Sequence, residues 1–136
     1  MAGEKNLERL LRCMSPVLSE ADYVFCTVNN SNYGDYAETR PLASFAETEG
    51  LTLVMLQDQA EQHGLSYEGV FRRITLGVHS SLEAVGLTAA VTGKLATHGI
   101  AANVIAAYFH DHIFVPAELA KPAMGLLLEY NDKNTF

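Results

Sequence analysis

Three groups of residues in this 136-residue chain have types and spacings that could do chemistry. His110-Asp111-His112, with His79 far off in sequence, supplies imidazoles and a carboxylate. In a strand, His110 and His112 would share a face, as a bidentate metal site requires. Ser80-Ser81-Leu82-Glu83 has the Ser-x-x-Glu form of a capping box, so a helix is expected to open there. Its first amides and positive dipole end could hold a carboxylate or phosphate, unless Ser80 and Glu83 satisfy those amides themselves. Asn103 is the one amide in an apolar run and needs partners if buried, either neighbouring backbone or a polar ligand.

The metal and catalytic readings lack further members. No cysteine and no second carboxylate with evident geometry accompanies the His-Asp-His triplet, and Asp111 in a turn reads as bonding local backbone. A G-x-S-x-G elbow, a G-x-x-x-x-G-K-[ST] loop and a G-x-G-x-x-G turn are all absent from the sequence. No catalytic residue, metal or cofactor is therefore expected.

The elements that must position these residues follow from patterning. Leu7, Leu10, Leu11 and Met14 recur at helical spacing, and Pro16 stops that helix. Residues 23–28 read as a strand and 29–36 as a polar loop, the longest in the chain. Residues 42–46 and 51–56 read as strands around Glu47-Thr48-Glu49-Gly50, followed by a short helix over 57–63 closed by Gly64. Ile74, Leu76 and Val78 alternate with Thr75, Gly77 and His79 in the next strand. Leu87, Val91 and Leu95 stripe the following helix, where Gly86 costs about 1 kcal/mol relative to alanine and Gly99 closes. Residues 102–109 read as a strand covered on both faces. His110-Asp111 is expected to make a tight turn with positive φ into a strand over 112–115. Pro116 ends that strand, and a last helix over 118–130 carries Pro122 near its start, where its missing amide costs little.

The order is helix, strands, helix, then strand, helix, strand, strand, helix. The second half is most of a βαββαβ unit lacking its last strand, and the first half matches diffusely. The expectation is α+β: two ferredoxin-like units in tandem, 1–66 and 67–136, sharing a core and exchanging a strand, with antiparallel sheets and helices on one face.

Composition limits the partners. A net charge of −7 and no basic run argue against nucleic acid or an anionic membrane surface. With 49% hydrophobic and 18% charged residues the chain is globular. No signal-peptide core and no membrane-length apolar run is evident, so a cytoplasmic protein is expected. Cys13 and Cys26 fit no metal or disulfide framework and read as two buried thiols.

Val78-His79-Ser80-Ser81-Leu82-Glu83-Ala84-Val85-Gly86-Leu87-Thr88, Asn103-Val104-Ile105-Ala106 and His110-Asp111-His112-Ile113-Phe114-Val115-Pro116 resemble a family of small bacterial ACT-domain proteins. Glu49-Gly50-Leu51-Thr52-Leu53-Val54 matches it too, so the resemblance spans about residues 23–128. Phe71-Arg72-Arg73 and Pro122 depart from the family pattern. The resemblance implies tandem ACT units, similar to the regulatory modules of aspartate kinases and to eukaryotic arginine sensors. It also implies an amino acid held at the loop after the unit's first strand, which maps onto His79 to Gly86, the same helix start singled out physically. The residues then expected at the ligand are His79, Ser80, Ser81, Leu82, Val85 and Gly86, with Asn103, Val104, His110 and Asp111 from the neighbouring strand and turn. The expected function is a non-catalytic sensor of a free amino acid or similar small zwitterion, working as a homodimer or through a separate effector protein. The alternative is a ligand-independent oligomerisation or interaction module.

Overall fold

The computed structural model describes residues 3, 6–79, 81 and 84–131. Its elements are α1 (Leu7–Arg12), β1 (Pro16–Val28), β2 (Ala43–Glu47), β3 (Gly50–Leu56), α2 (Gln57–Gln62), β4 (Phe71–Leu76), α3 (Leu87–Thr97), β5 (Asn103–Ala106), β6 (Asp111–Pro116) and α4 (Ala120–Leu128). Short 3-10 turns occupy Ala37–Thr39, Ala117–Leu119 and Glu129–Asn131. The strands are ordered β2-β3-β1-β4-β6-β5. The chain packs as two compact units, one of residues 1–20 with 72–136 and one of residues 21–71.

The unit of residues 21–71 rests on period-two alternation. Val24 lies opposite Met55 and Cys26 opposite Leu53 in the antiparallel β1–β3 pair, and all four are buried with Ala60 of α2. The β2–β3 hairpin closes with Glu47 opposite Gly50. Residues 29–36 form turns, with the Asn32 amide donating to Asp35 Oδ2 at 2.8 Å.

The other unit has βαββα order through β4, α3, β5, β6 and α4, and residues 16–20 of β1 supply the strand its own run lacks. Ile74 and Leu76 of β4 and Ile113 and Val115 of β6 meet Leu87, Val91 and Leu95 of α3 and Ala120, Ala123 and Leu127 of α4. Leu10, Leu11 and Met14 complete this core from the N-terminus. The stripe expected on α3 is therefore its buried face. Asn6 caps α1 by accepting the Arg9 amide at 3.0 Å. Pro122 falls in the first turn of α4, where its missing amide has no acceptor to lose.

Several boundaries differ from those expected. β1 begins at Pro16, seven residues before residue 23, because proline is tolerated as the first residue of a strand. β4 begins at Phe71 and stops at Leu76, so Val78 and His79 lie beyond it. β5 covers four residues instead of residues 102–109. It ends the strand order, so it is an edge with Asn103 and Ala106 exposed rather than a doubly covered strand. Cys26 is buried as expected, but Cys13 is exposed at the end of α1 because the helix buries Leu10 and Leu11 instead. No helix among the described residues is long and apolar enough to cross a membrane.

Candidate functional site

The segment between β4 and α3 starts with a close backbone approach. Gly77 N donates to Ser15 O at 3.1 Å and Val78 N to Met14 O at 3.2 Å. A Cβ on Gly77 would stand 2.8 Å from Ser15 O, closer than such atoms come, so glycine is required there. The chain then turns, with Ala84 N donating to Ser81 O at 2.9 Å, and enters α3 through Gly86.

Here the structure corrects the expected helix start. The helix does not open at Ser80-Ser81; it begins at Leu87, with Gly86 as its N-cap rather than an interior residue. The reason is backbone geometry: Gly86 has φ 97°, a left-handed conformation that costs glycine little and ends the loop. Ser80, Leu82 and Glu83, and with them the proposed capping box, lie outside the described residues. Gly86 has no side chain with which to cap the helix, and the first helical bond is Ala90 N to Gly86 O at 2.9 Å. The amides of Leu87, Thr88 and Ala89 therefore sit at the positive end of an eleven-residue helix. Leu7 of α1 flanks this point, its Cδ2 3.1 Å from where a Gly86 Cβ would be.

The turn before β6 runs beside this loop. Ala107 N donates to His110 O at 3.0 Å, closing a turn over residues 107–110, and His110 Nδ1 lies 3.3 Å from Val78 O. His79 is half-buried against two ring neighbours, Phe109 at 5.1 Å and Tyr108 at 6.4 Å between centroids. Neither His110 nor Asp111 adopts the positive φ expected of them; the turn falls earlier, on Tyr108 and Phe109, and Asp111 already belongs to β6. Asn103 is exposed opposite Phe114, not buried, because β5 is the sheet edge. Val104 faces Ile113 and packs onto the helical core. Val85 is 83% exposed.

His110 and His112 do not converge on one point. His112 Nδ1 lies 2.9 Å from Thr75 Oγ1 while His110 turns to the Val78 carbonyl. Burial lowers the His112 pKa below its ordinary 6.5, and the nearby positive charges of Arg73 and His110 lower it further, against Asp111. Among the described residues no group of three or more His, Cys, Asp or Glu is placed to hold a metal ion. The structure thus brings His79 and His110 to the β5–β6 turn, while Gly86 stands against Leu7 of α1. Tyr108, Phe109 and the Gly77 approach were missed in the sequence, although two successive aromatics closing an apolar run before a turn were a readable signal.

This arrangement, a sheet with a strand-loop-helix entry at its end in tandem units, has the order of a known domain. The chain matches the ACT domain twice, over residues 2–72 and 70–129. It belongs to the ACT-domain family. A crystal structure from Vibrio cholerae, of a protein of unknown function described as a possible transport protein, is 55% identical over 94% of this chain and 98% of that one, with a TM-score of 0.85. The ligand-free regulatory subunit of aspartate kinase from Thermus thermophilus is 10% identical over 88% of this chain and 99% of its own, with a TM-score of 0.65. E. coli aspartokinase III in complex with aspartate and ADP is 12% identical over 85% of this chain and 32% of its own, with a TM-score of 0.63. At those identities the two kinases share the fold alone. No curated protein matches the chain.

Proposed function

We propose that this chain is a non-catalytic regulatory module that binds a free amino acid at the loop of residues 79–86. The observation that carries the reading is the start of α3: Gly86 in a left-handed conformation, no cap side chain of its own, and first-turn amides at the positive helix end. A ligand carboxylate would dock on those amides, and its ammonium group on carbonyls of the adjoining loop. Ser81 and His79 would line the approach, with His110, whose Nδ1 lies 3.3 Å from Val78 O, beside the exit of β4. Asp111 would contribute from the start of β6, with Ser80 and Leu82 in the loop, whereas Asn103, paired with Phe114, lies at the end of β5 away from that turn. Two facts support the reading. The Thermus thermophilus protein, whose fold this chain shares, is a regulatory subunit, and the ACT match runs through both halves of the chain. The module would act in the cytoplasm as a homodimer, reporting ligand to an effector protein.

A thermal-shift screen against the twenty amino acids tests this. A ligand that binds only the native state stabilises it by about 2.7 kcal/mol at a hundredfold excess over its dissociation constant. At least one amino acid is expected to raise the melting temperature, and Ser81→Ala to weaken its binding about tenfold by calorimetry. A flat screen on folded protein would reject the proposal.

The exposed edges favour one rival. β2 and β5 end the strand order, and Phe45 on β2 is 70% exposed. An uncovered edge with unpaired amides and carbonyls invites a further strand. A stable dimer by light scattering, indifferent to every amino acid, would move the reading to an oligomerisation module.

A further inference from the structure

A cleft of about 510 Å³ opens on the unit of residues 21–71, between the turns that follow β1 and the β2–β3 hairpin. That volume falls within the range of small-molecule sites, about 300–1,000 Å³. Tyr33, Asp35 and Arg40 line it from the turns, Leu42 and Ser44 from around the start of β2, and buried Leu53 from β3. Arg40 is the only lysine or arginine between residues 21 and 71, a stretch rich in carboxylates. Asp35 lines the same cleft, yet among the described residues neither Asp35 nor Arg40 forms an ion pair. The walls are held by bonds that leave both charges available. Asn32 N donates to Asp35 Oδ2 at 2.8 Å, the buried Thr39 Oγ1 to Tyr36 O at 2.7 Å, and Leu42 N to Val54 O at 2.7 Å. Tyr36 and Arg40, at φ 67° and 52°, both take the left-handed backbone on either side of the 3-10 turn Ala37–Thr39. Residues with a Cβ adopt that conformation seldom, and it persists where the surrounding structure imposes it, ligand sites among such places.

We propose that this cleft binds a small zwitterion whose carboxylate and ammonium stand at opposite ends of an apolar body, the carboxylate on Arg40 and the ammonium on Asp35. A guanidinium meets a carboxylate through two parallel N–H donors. In a stretch otherwise acidic, Arg40 is the one place where an anionic group finds an attractive partner. Asp35 disfavours a ligand with two anionic ends and Arg40 one with two cationic ends, because each sets like charges together. Opposite charges that line one cleft without pairing are both met by a dipolar ligand. Leu42, Leu53 and the Tyr33 ring, 86% exposed, supply apolar surface for its body. At roughly 30 Å³ per water-sized atom, the cleft has room for more than an α-amino acid, whose two charges share one carbon. A short peptide with free ends and an ω-amino acid share the required chemistry. The site is separate from the loop of residues 79–86 and stands whether or not that loop binds an amino acid.

The test is calorimetric titration of the full chain with alanyl-leucine and ε-aminocaproate, beside the end-blocked forms N-acetyl-alanyl-leucine, alanyl-leucinamide and caproate. Saturable binding of at least one of the two zwitterions is expected, with at least tenfold weaker binding of its blocked forms. Arg40→Gln and Asp35→Asn should each cost at least tenfold in the same affinity; the asparagine keeps an acceptor for the Asn32 amide and removes only the charge. Binding of alanyl-leucine alone assigns the peptide, binding of ε-aminocaproate alone the ω-amino acid, and binding of both the shared chemistry. Failure of both to bind, or a loss below tenfold in either variant or on blocking either end, would overturn the cleft as a zwitterion site. Either result leaves the loop of residues 79–86 to its own screen, whose hits Arg40→Gln should not change. If a variant does not fold, amide NMR shifts of the unsubstituted protein on adding the zwitterion decide the matter. Shifts at Gly34, Arg40 and Ser44 support the site, and unmoved amides there in a protein that binds reject it.

Discussion

His112 is the side chain whose ionisation is most clearly coupled to folding. Burial and the neighbouring charges of Arg73 and His110 hold its pKa below 6.5, so the unfolded chain binds its proton more readily than the folded one. The stabilising contribution is complete above the unfolded value near 6.5 and is lost as pH falls from there through the lower folded pKa. Urea midpoints should therefore decline between pH 7.5 and 5.5, and His112→Gln should flatten that part of the profile; an unchanged slope would show the coupling lies elsewhere. Gly77 is the other residue whose chemistry is dictated by a neighbour. A methyl there would meet Ser15 O at 2.8 Å, and Gly77→Ala should cost about 1–3 kcal/mol in denaturant unfolding.

Among the elements, α3 connects the site to the core, and its two faces predict opposite effects of substitution. Leu95 is fully buried between the sheet and α4, so Leu95→Ala should destabilise by about 2–5 kcal/mol. Gly93, exposed on the same helix, has no atom within 4 Å of where a Cβ would stand. Gly93→Ala should stabilise by about 0.5–1 kcal/mol through helix propensity. Chemical denaturation of both variants checks the pair, and equal effects would mean that α3 is not oriented as described. Lys94 in the last half of the helix lies 2.8 Å by its Nζ from Glu129 Oε1 and 4.6 Å from the centre of the Tyr130 ring, and Tyr130 OH donates to Ala90 O in the first turn at 3.2 Å. That ion pair is half-exposed and worth at most about 1 kcal/mol. The buried stripe, not the ion pair, sets where α3 lies.

For the molecule as a whole, the unit containing the candidate site is discontinuous in sequence. Residues 72–136 pack with residues 1–20, whose Leu10, Leu11 and Met14 are buried in the same core. A fragment of residues 72–136 should lack a cooperative unfolding transition, since it loses those three side chains and the strand from Pro16. A permuted chain that starts at residue 72 and joins residue 136 to residue 1 by a flexible linker should regain a folded spectrum in its far-ultraviolet circular dichroism. A cooperative transition in the short fragment alone would show that the first twenty residues are not part of that unit.

The order and type of the elements were legible in the sequence, because helix stripes such as Leu87, Val91 and Leu95 and strand alternation such as Ile74 and Leu76 are local patterns. So was the family, through the blocks at residues 78–88 and 110–116, while the expectation that the tandem units lend strands to one another came from element order alone. The start of α3 was not. Ser80 and Glu83 make a good local cap, yet the helix begins at Leu87 after a left-handed Gly86 against which Leu7, eighty residues earlier, is packed. Nor could periodicity tell that β5 is an edge, which exposes Asn103 and leaves Tyr108 and Phe109 in the turn beside His79. Local propensity determines what a segment becomes. Where it stops, and which distant side chains it meets, is decided by packing that only the folded chain brings together.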